Sequence, residues 1–454
     1  MAELLEILQA WRPLIATVIG VSALLAMILV RRINAFAALL AAALGTGLLA
    51  GLAPDAVIAS VAQGIGGVLG FIAVIVGLGA LLGGYLETSG GAVALARAIT
   101  GKRAPGQAAF AMGFVGIVIA IPVFFDVGLV LLFPLIASLS RASGKPALFF
   151  GLPLLAGLAT AHAFIPPTPG PVAVAQILSA PIGMVILAGL AAGIPAMLLA
   201  GPGLTRVLES RDGLGGALEE PAAAEARAEA VDISLVSRSA LAIVFPVTLI
   251  VLAALSDPLA LAPAVAVPLA FLGHPFIALL LACTLAAIIL RPHGESQRAH
   301  LADTLARALE PTAVILLVTG AGGAFKQVLV DTGAGAMLAE SLFGLGVGPI
   351  IAGFLLALVV RVAQGSATVA MLTSAGLTAP VAAAAGLAPW DLALMTVAIA
   401  SGASMASHVN DSGFWLVSRY FGLSSGETLR TWTLSSTIVG LTGFAVVMLL
   451  SVLT

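Results

Sequence analysis

Residues 147–178 read ALFFGLPLLAGLATAHAFIPPTPGPVAVAQIL, and the reading of this stretch decides the fold. It is apolar and longer than the roughly 20 residues that a bilayer-crossing helix needs. Its middle cannot be helical. Pro166, Pro167, Pro169 and Pro171 fall within six residues, and each removes a backbone donor and clashes with the turn before it. Irregular backbone is not tolerated against lipid, where unsatisfied N–H and C=O groups are costly, so the break at His162–Pro171 must line a cavity enclosed by protein.

The rest of the composition agrees with a bilayer as solvent. Of 454 residues, 61% are hydrophobic and 9% charged, against about a quarter charged in soluble domains. A water-soluble globule is excluded. Net charge is −2 and no Lys/Arg run is dense enough for nucleic acid, so no nucleic-acid partner is expected. The lone Cys283, within the apolar run Ile277 to Leu290, allows no intrachain disulfide and reads as a small core residue. The chain has no GxxxxGK[ST] and no HExxH or Cys/His cluster. Gly64, Gly66, Gly67 and Gly70 miss the dinucleotide spacing. ATP-driven and metalloenzyme readings fall away; no cofactor and no metal site is expected. The 51 glycines suit close helix contact.

Working outward from the break, apolar spans lie near Leu14–Val30, Ala35–Leu52 and Val68–Leu86. Glu3 and Glu6 precede the first and Arg31-Arg32 follow it, the reverse of a signal peptide, so the first helix reads as retained with its N-terminus outside. Glu87–Arg103 is too polar to span and fits a surface helix. Residues 106–141, with Lys102 and Arg103 ahead of them and Arg141 and Lys145 at their far end, fit two full helices or a re-entrant hairpin with Asp126 at its tip, and the central interruption at Pro122 and Phe124–Gly128 favours the hairpin. Another span, Ile182–Leu199, leads to a polar linker, 206–238, expected in the cytoplasm.

The second half echoes the first. Gly322–Gln327 with Asp331–Gly333 matches Gly83–Gly90, Gln364–Thr368 falls where the first half has its Asp126 interruption, and Ser407–Gly413 falls where the His162 break lies. All three offsets are near 240 residues. Five crossings plus a hairpin per half is an odd count, so the halves must have opposite orientation. The prediction is an all-α polytopic membrane protein of two inverted repeats, with about ten transmembrane helices and two re-entrant hairpins. Each repeat has one helix broken at membrane depth. Repeat one is 1–205, with its hairpin at 106–141 and broken helix at 147–178; repeat two is 239–454, with hairpin 344–376 and broken helix 391–422.

The four interruptions are expected to meet around one site. Half-helix N-termini aim free N–H groups and a positive dipole end into such a cavity, which suits a carboxylate. Asp126 lies in an apolar run, where burial disfavours the charged form, and is the first candidate for exchanging a coupled proton; the competing role is to cap the helix that follows. His162 and His408 occupy equivalent breaks and can donate to substrate oxygens or titrate near neutrality. Thr168 and Gly170 of the proline break, Gln364, Gly365, Ser366 and Thr368 of the second tip, and Asn410, Asp411 and Ser412 complete the predicted substrate contacts; local turn chemistry is the competing role for the hydroxyl and amide groups. Arg361 could bind a carboxylate or snorkel to an interface. The combined reading is a secondary transporter of a small organic anion with protons; sodium coupling is the alternative, since unwound carbonyls and hydroxyls also hold sodium.

Gly83–Gly91, Pro122–Gly128, the HAFIPPTPGP string within Ala159–Pro171, Gly365–Thr373 and the SHVNDSGFW string within Ser404–Trp415 resemble the gluconate:proton symporter (GntP) family over nearly the whole chain. The resemblance implies symport of gluconate or a related hydroxy or amino acid anion. It also implies a homodimeric, elevator-type carrier of the ion transporter superfamily in the bacterial inner membrane. It implies a histidine where Thr168 stands, a departure that bears on substrate choice.

Overall fold

The computed structural model describes residues 2–101, 103–210, 232–256, 259, 261–291, 295–334, 337, 348–409 and 411–453. Asn410, linker residues 211–231 and the first residues of the second hairpin, 344–347, lie outside the described residues.

The first half comprises α1 (Ala2–Leu25), α2 (Ala35–Ala50), α3 (Pro54–Thr88), α4 (Gly91–Thr100), α5 (Pro105–Ala120), α6 (Phe125–Ser143), α7 (Ala147–Phe164), α8 (Pro169–Leu178), α9 (Ile182–Leu198) and α10 (Leu204–Glu209). The second comprises α11 (Ile233–Ala254), α12 (Pro263–Leu272), α13 (Pro275–Ile289), α14 (Glu295–Asp331), α15 (Pro349–Gln364), α16 (Ala367–Ala384), α17 (Pro389–Ser404), α18 (Ser412–Tyr420), α19 (Ser425–Thr428) and α20 (Leu434–Leu453). Many of these helices start on proline, at Pro54, Pro105, Pro169, Pro275, Pro349 and Pro389. Proline is suited to that position because the first N–H has no intrahelical partner in any case.

Among the described residues nine helices are long and apolar enough to cross a membrane, or ten if α12 and α13, bent by 65° at Gly273-His274, form one span. The chain is therefore an all-helical, multi-pass membrane protein. Expected interruptions appear where the prolines and glycines put them: α5 and α6 are separated at Ile121–Phe124, α7 and α8 at Ile165–Thr168, α15 and α16 at Gly365-Ser366, and α17 and α18 at Met405–Asp411.

Corresponding helices of the two halves begin at a nearly constant distance along the chain, from Ala35 and Pro275 (240 apart) to Ile182 and Ser425 (243 apart). The long helices α3 and α14 run antiparallel, with Gly64 against Gly323 and Gly84 against Leu305. A methyl group on Gly64 would strike the Gly323 carbonyl, and one on Gly157 of α7 the Gly113 carbonyl of α5. Both helix pairs thus come together as closely as backbone allows.

The first broken helix and α16 sit inside the molecule. In Ala147–Leu178 89% of the most apolar window is buried within the chain and in α16 78%, against 28% in α11. The outer helices instead turn Val244, Leu252, Val314 and Leu317 outward, the apolar exterior that lipid solvates.

Candidate substrate site

Three of the four interruptions, together with the end of α7 ahead of the fourth, border one cavity of about 370 Å³, within the usual range for small-molecule sites. The first tip contributes Phe124, Phe125 and Asp126, the first broken helix His162, and the second tip Arg361 and Gln364–Thr368. The second break adds Ser404, Ser407 and Asp411–Gly413, and Trp432, Ser436 and Val439 come from the last helical segment.

Local sequence explains each boundary. Gly365 ends α15 at φ +90°, in the left-handed region that glycine adopts without strain. Ser366 then caps α16 by accepting from the Val369 N–H at 3.3 Å. Asp411 caps α18, accepting from Gly413 N–H at 3.1 Å. The helices α6, α16 and α18 all present their N-termini to the cavity. Their unpaired N–H groups favour an anion there.

The second break is held by a buried charge network. Arg361, only 4% exposed, donates Nε to the Met405 carbonyl at 3.3 Å, Nη1 to the Gly365 carbonyl and Nη2 to Asp411. Asp411 Oδ2 also accepts from the Ser407 hydroxyl, and Trp432 Nε1 donates to that same hydroxyl at 2.7 Å. Behind it, Ser407 N–H donates to Ser436 at 3.1 Å and Ala406 N–H to Thr437 at 3.3 Å. This fastening holds Ala406 at φ 50°, an uncommon conformation for a residue with a side chain.

Other polar groups are left free. Asp126 stands in the first turn of α6, accessible from the cavity, and forms no hydrogen bond or ion pair with any described residue. It does not cap α6: Phe124 occupies the N-cap without a side-chain bond. His162 Nδ1 and Gln364 Oε1 are buried and unpartnered among the described residues. Such orphaned groups beside a cavity are available to a ligand, since a buried polar group is normally paired.

Of the sequence-predicted residues, Asp126, His162, Gln364, Gly365, Ser366, Thr368, Asp411 and Ser412 line this cavity. Thr168 does not: it is 3% exposed, its hydroxyl donates to the Ile165 carbonyl at 2.7 Å, and it borders a separate small void beside His162 and Pro167. Gly170 faces the Met371 side chain. His408 lies outside the lining, its Nδ1 2.8 Å from the Ala406 carbonyl. Sequence reasoning did not place Ser404, Ser407, Trp432 or Ser436 in the site, and it left Arg361 undecided. A charge in the otherwise apolar Pro349–Val362 was the available signal, because an intramembrane ionisable residue marks a functional site by default.

Broken helices meeting around one cavity lined with polar and charged groups, in a chain of membrane-crossing helices, are the arrangement of a membrane permease. The chain belongs to the GntP family of permeases, whose family model matches residues 12–453. It is similar to the high-affinity gluconate transporter of Escherichia coli K12, 35% identical over 440 residues that cover 97% of this chain and 99% of that one. It is likewise similar to the Gnt-II system L-idonate transporter of the same strain, 34% identical over 432 residues (95% and 97%). The gluconate permease of Bacillus subtilis 168 is 35% identical over 447 residues (97% and 99%). Among solved structures, the Alcanivorax borkumensis YdaH transporter superposes with a TM-score of 0.63 over 88% of this chain and 89% of that one, at 16% identity, a likeness of fold alone.

Proposed function

We propose that the chain carries gluconate or a closely related sugar acid anion across the bacterial inner membrane together with a proton, by an elevator-type movement within a homodimer. The observation that carries the proton is the charge balance of the cavity. Among the described residues, the one lysine or arginine in its lining, Arg361, is already paired with Asp411, and Asp126 is paired with none. Asp126 is exposed to the cavity, and an anion entering beside its ionised form would add like charge there; protonating Asp126 removes that repulsion. The support for a polyhydroxy acid is the ring of Ser366, Thr368, Ser404, Ser412 and Gln364 around the arginine, together with relatives named for gluconate and L-idonate.

Opposed orientation of the halves is part of this proposal, supported by the constant offset and by the antiparallel α3 and α14. Cysteines at Ser237 and Ser296 are expected to label only from the cytoplasm; labelling from opposite faces would overturn that topology. The function itself is tested by uptake of radiolabelled gluconate into proteoliposomes. An inward proton gradient is expected to drive accumulation and a sodium gradient at constant pH to have no effect. Accumulation driven by sodium alone would replace the proton with sodium.

A further inference from the structure

Resting on this reading of a proton-coupled carboxylate carrier, we propose that Asp411 is a resident stand-in for the substrate's carboxylate. The incoming anion takes Arg361 from it, and protonated Asp126 takes over Arg361's place beside Asp411.

The guanidinium is positioned without Asp411. Two of its three hydrogen bonds go to backbone carbonyls, of Met405 in the second break and Gly365 at the second tip, so those segments hold its plane still. Only Nη2, spent on Asp411, joins a side chain bordering the cavity. Exchanging one carboxylate for another at that nitrogen replaces a charge-assisted hydrogen bond by its equivalent, and the arginine need not move. Asp411 can also stay in place when released, since Ser407 still donates to Oδ2 and the Gly413 N–H to Oδ1.

What Asp411 lacks after the exchange is a counter-charge. Asp126 opens onto the same cavity as Asp411, and the neighbouring Phe125 ring lies against Gly413, two residues past Asp411. With Arg361 given to the substrate, two ionised carboxylates would face each other with no cation. One proton from the open aqueous side, bound as an O–H on Asp126, turns that repulsion into a hydrogen bond donated to Asp411. One anion and one proton enter together, and the net charge of the site is unchanged. The other titratable groups nearby are His162, from α7, and His408, on Asp411's own segment and bonded to the Ala406 carbonyl. The last helical segment adds Trp432, Ser436 and Val439 to the lining and no charge.

The test is the pH dependence of gluconate affinity, measured calorimetrically on purified full-length protein, with glycolate, a hydroxy acid without the polyol, alongside. Wild type is expected to bind about tenfold more tightly for each pH unit lowered across the range in which Asp126 takes its proton, the linkage of one proton to one ligand. Asp411→Asn, which keeps an oxygen for the Gly413 N–H, removes the competitor for Arg361. Its affinity is expected to be independent of pH and to exceed wild type at alkaline pH. Asp126→Asn, a permanent donor to Asp411, is expected to be pH-independent as well. If Asp411→Asn binds more weakly at every pH and keeps the wild-type slope, Asp411 is only a structural partner of Arg361 and the proposal falls. Wild type alone gives a second readout: calorimetry in two buffers of different ionisation enthalpy should find one proton taken up per anion, and none taken up would also overturn it. Binding of glycolate but not gluconate would sink the sugar-acid reading while leaving the exchange to be judged from glycolate; binding of neither would overturn a carboxylate at Arg361.

Discussion

The two broken helices occupy equivalent places in the two halves, yet they are built from different chemistry. The break between α7 and α8 is dry: residues 163–175 are buried, four prolines set its path, and Thr168 bonds back to its own segment. The break between α17 and α18 is polar and fastened from outside, by Arg361 from α15 and by Trp432, Ser436 and Thr437 from the last helical segment. A shared pattern of interruption therefore does not mean shared roles. The first half supplies the unpaired Asp126 and His162, while the second supplies the paired charges. The asymmetry lets one cavity hold a fixed cation and a free carboxyl together.

Breaking the polar side should have the largest effect. Arg361→Gln leaves the part-buried Asp411 without its counter-charge; breaking a fully buried pair costs about 3–5 kcal/mol, so a somewhat smaller fall in thermal stability in detergent is expected, and uptake should be lost. The double variant Arg361→Gln/Asp411→Asn should regain much of that stability without regaining uptake. Recovery of both would mean that the pair holds the fold and does not bind substrate. A smaller loss is expected from Trp432→Phe, which keeps the ring against Phe125 but removes the hydrogen bond to Ser407. About 1 kcal/mol is at stake there, or several-fold in gluconate affinity. An unchanged affinity would show that Ser407 and Asp411 hold their positions unaided.

The two histidines differ in the same way as the two breaks. His162→Ala removes a ring that lines the cavity, and should weaken gluconate binding several-fold. His408→Ala removes one whose contact is with its own segment, and binding should change by less than about twofold. Competition assays that found the opposite order would move the site toward Val409 and the exposed end of the second break. On the dry side, Thr168→Val should cost little in affinity and show mainly as a modest loss of stability, because its hydroxyl serves the Ile165 carbonyl alone among nearby acceptors at good distance.

These contrasts mark where the sequence was legible. Helices and interruptions follow from apolar run length and from proline and glycine positions, local properties of the chain, and the first break and both tips lie where those residues put them. That irregular backbone would lie within protein was also foreseeable, since it has nowhere else to go in a bilayer, but the first break packs dry instead of opening onto the cavity. Pairings were not legible. Arg361 and Asp411 are 50 residues apart and Trp432 lies 25 beyond Ser407, and no periodicity connects them. Trp432 and Ser436 sit in a segment that reads as an ordinary apolar span. Side-chain direction at a break is equally hidden: His162, still within helix α7, faces the cavity, while His408, in irregular backbone, turns to its own segment.

The proposal that Asp126 exchanges the coupled proton at this site is tested by Asp126→Asn in proteoliposomes. Asparagine preserves size and hydrogen-bonding reach but cannot release a proton. Exchange of labelled for unlabelled gluconate between loaded vesicles should continue, while accumulation driven by a pH gradient disappears. If Asp126→Asn still concentrates gluconate at the wild-type rate and with the wild-type pH dependence, Asp126 does not carry the proton.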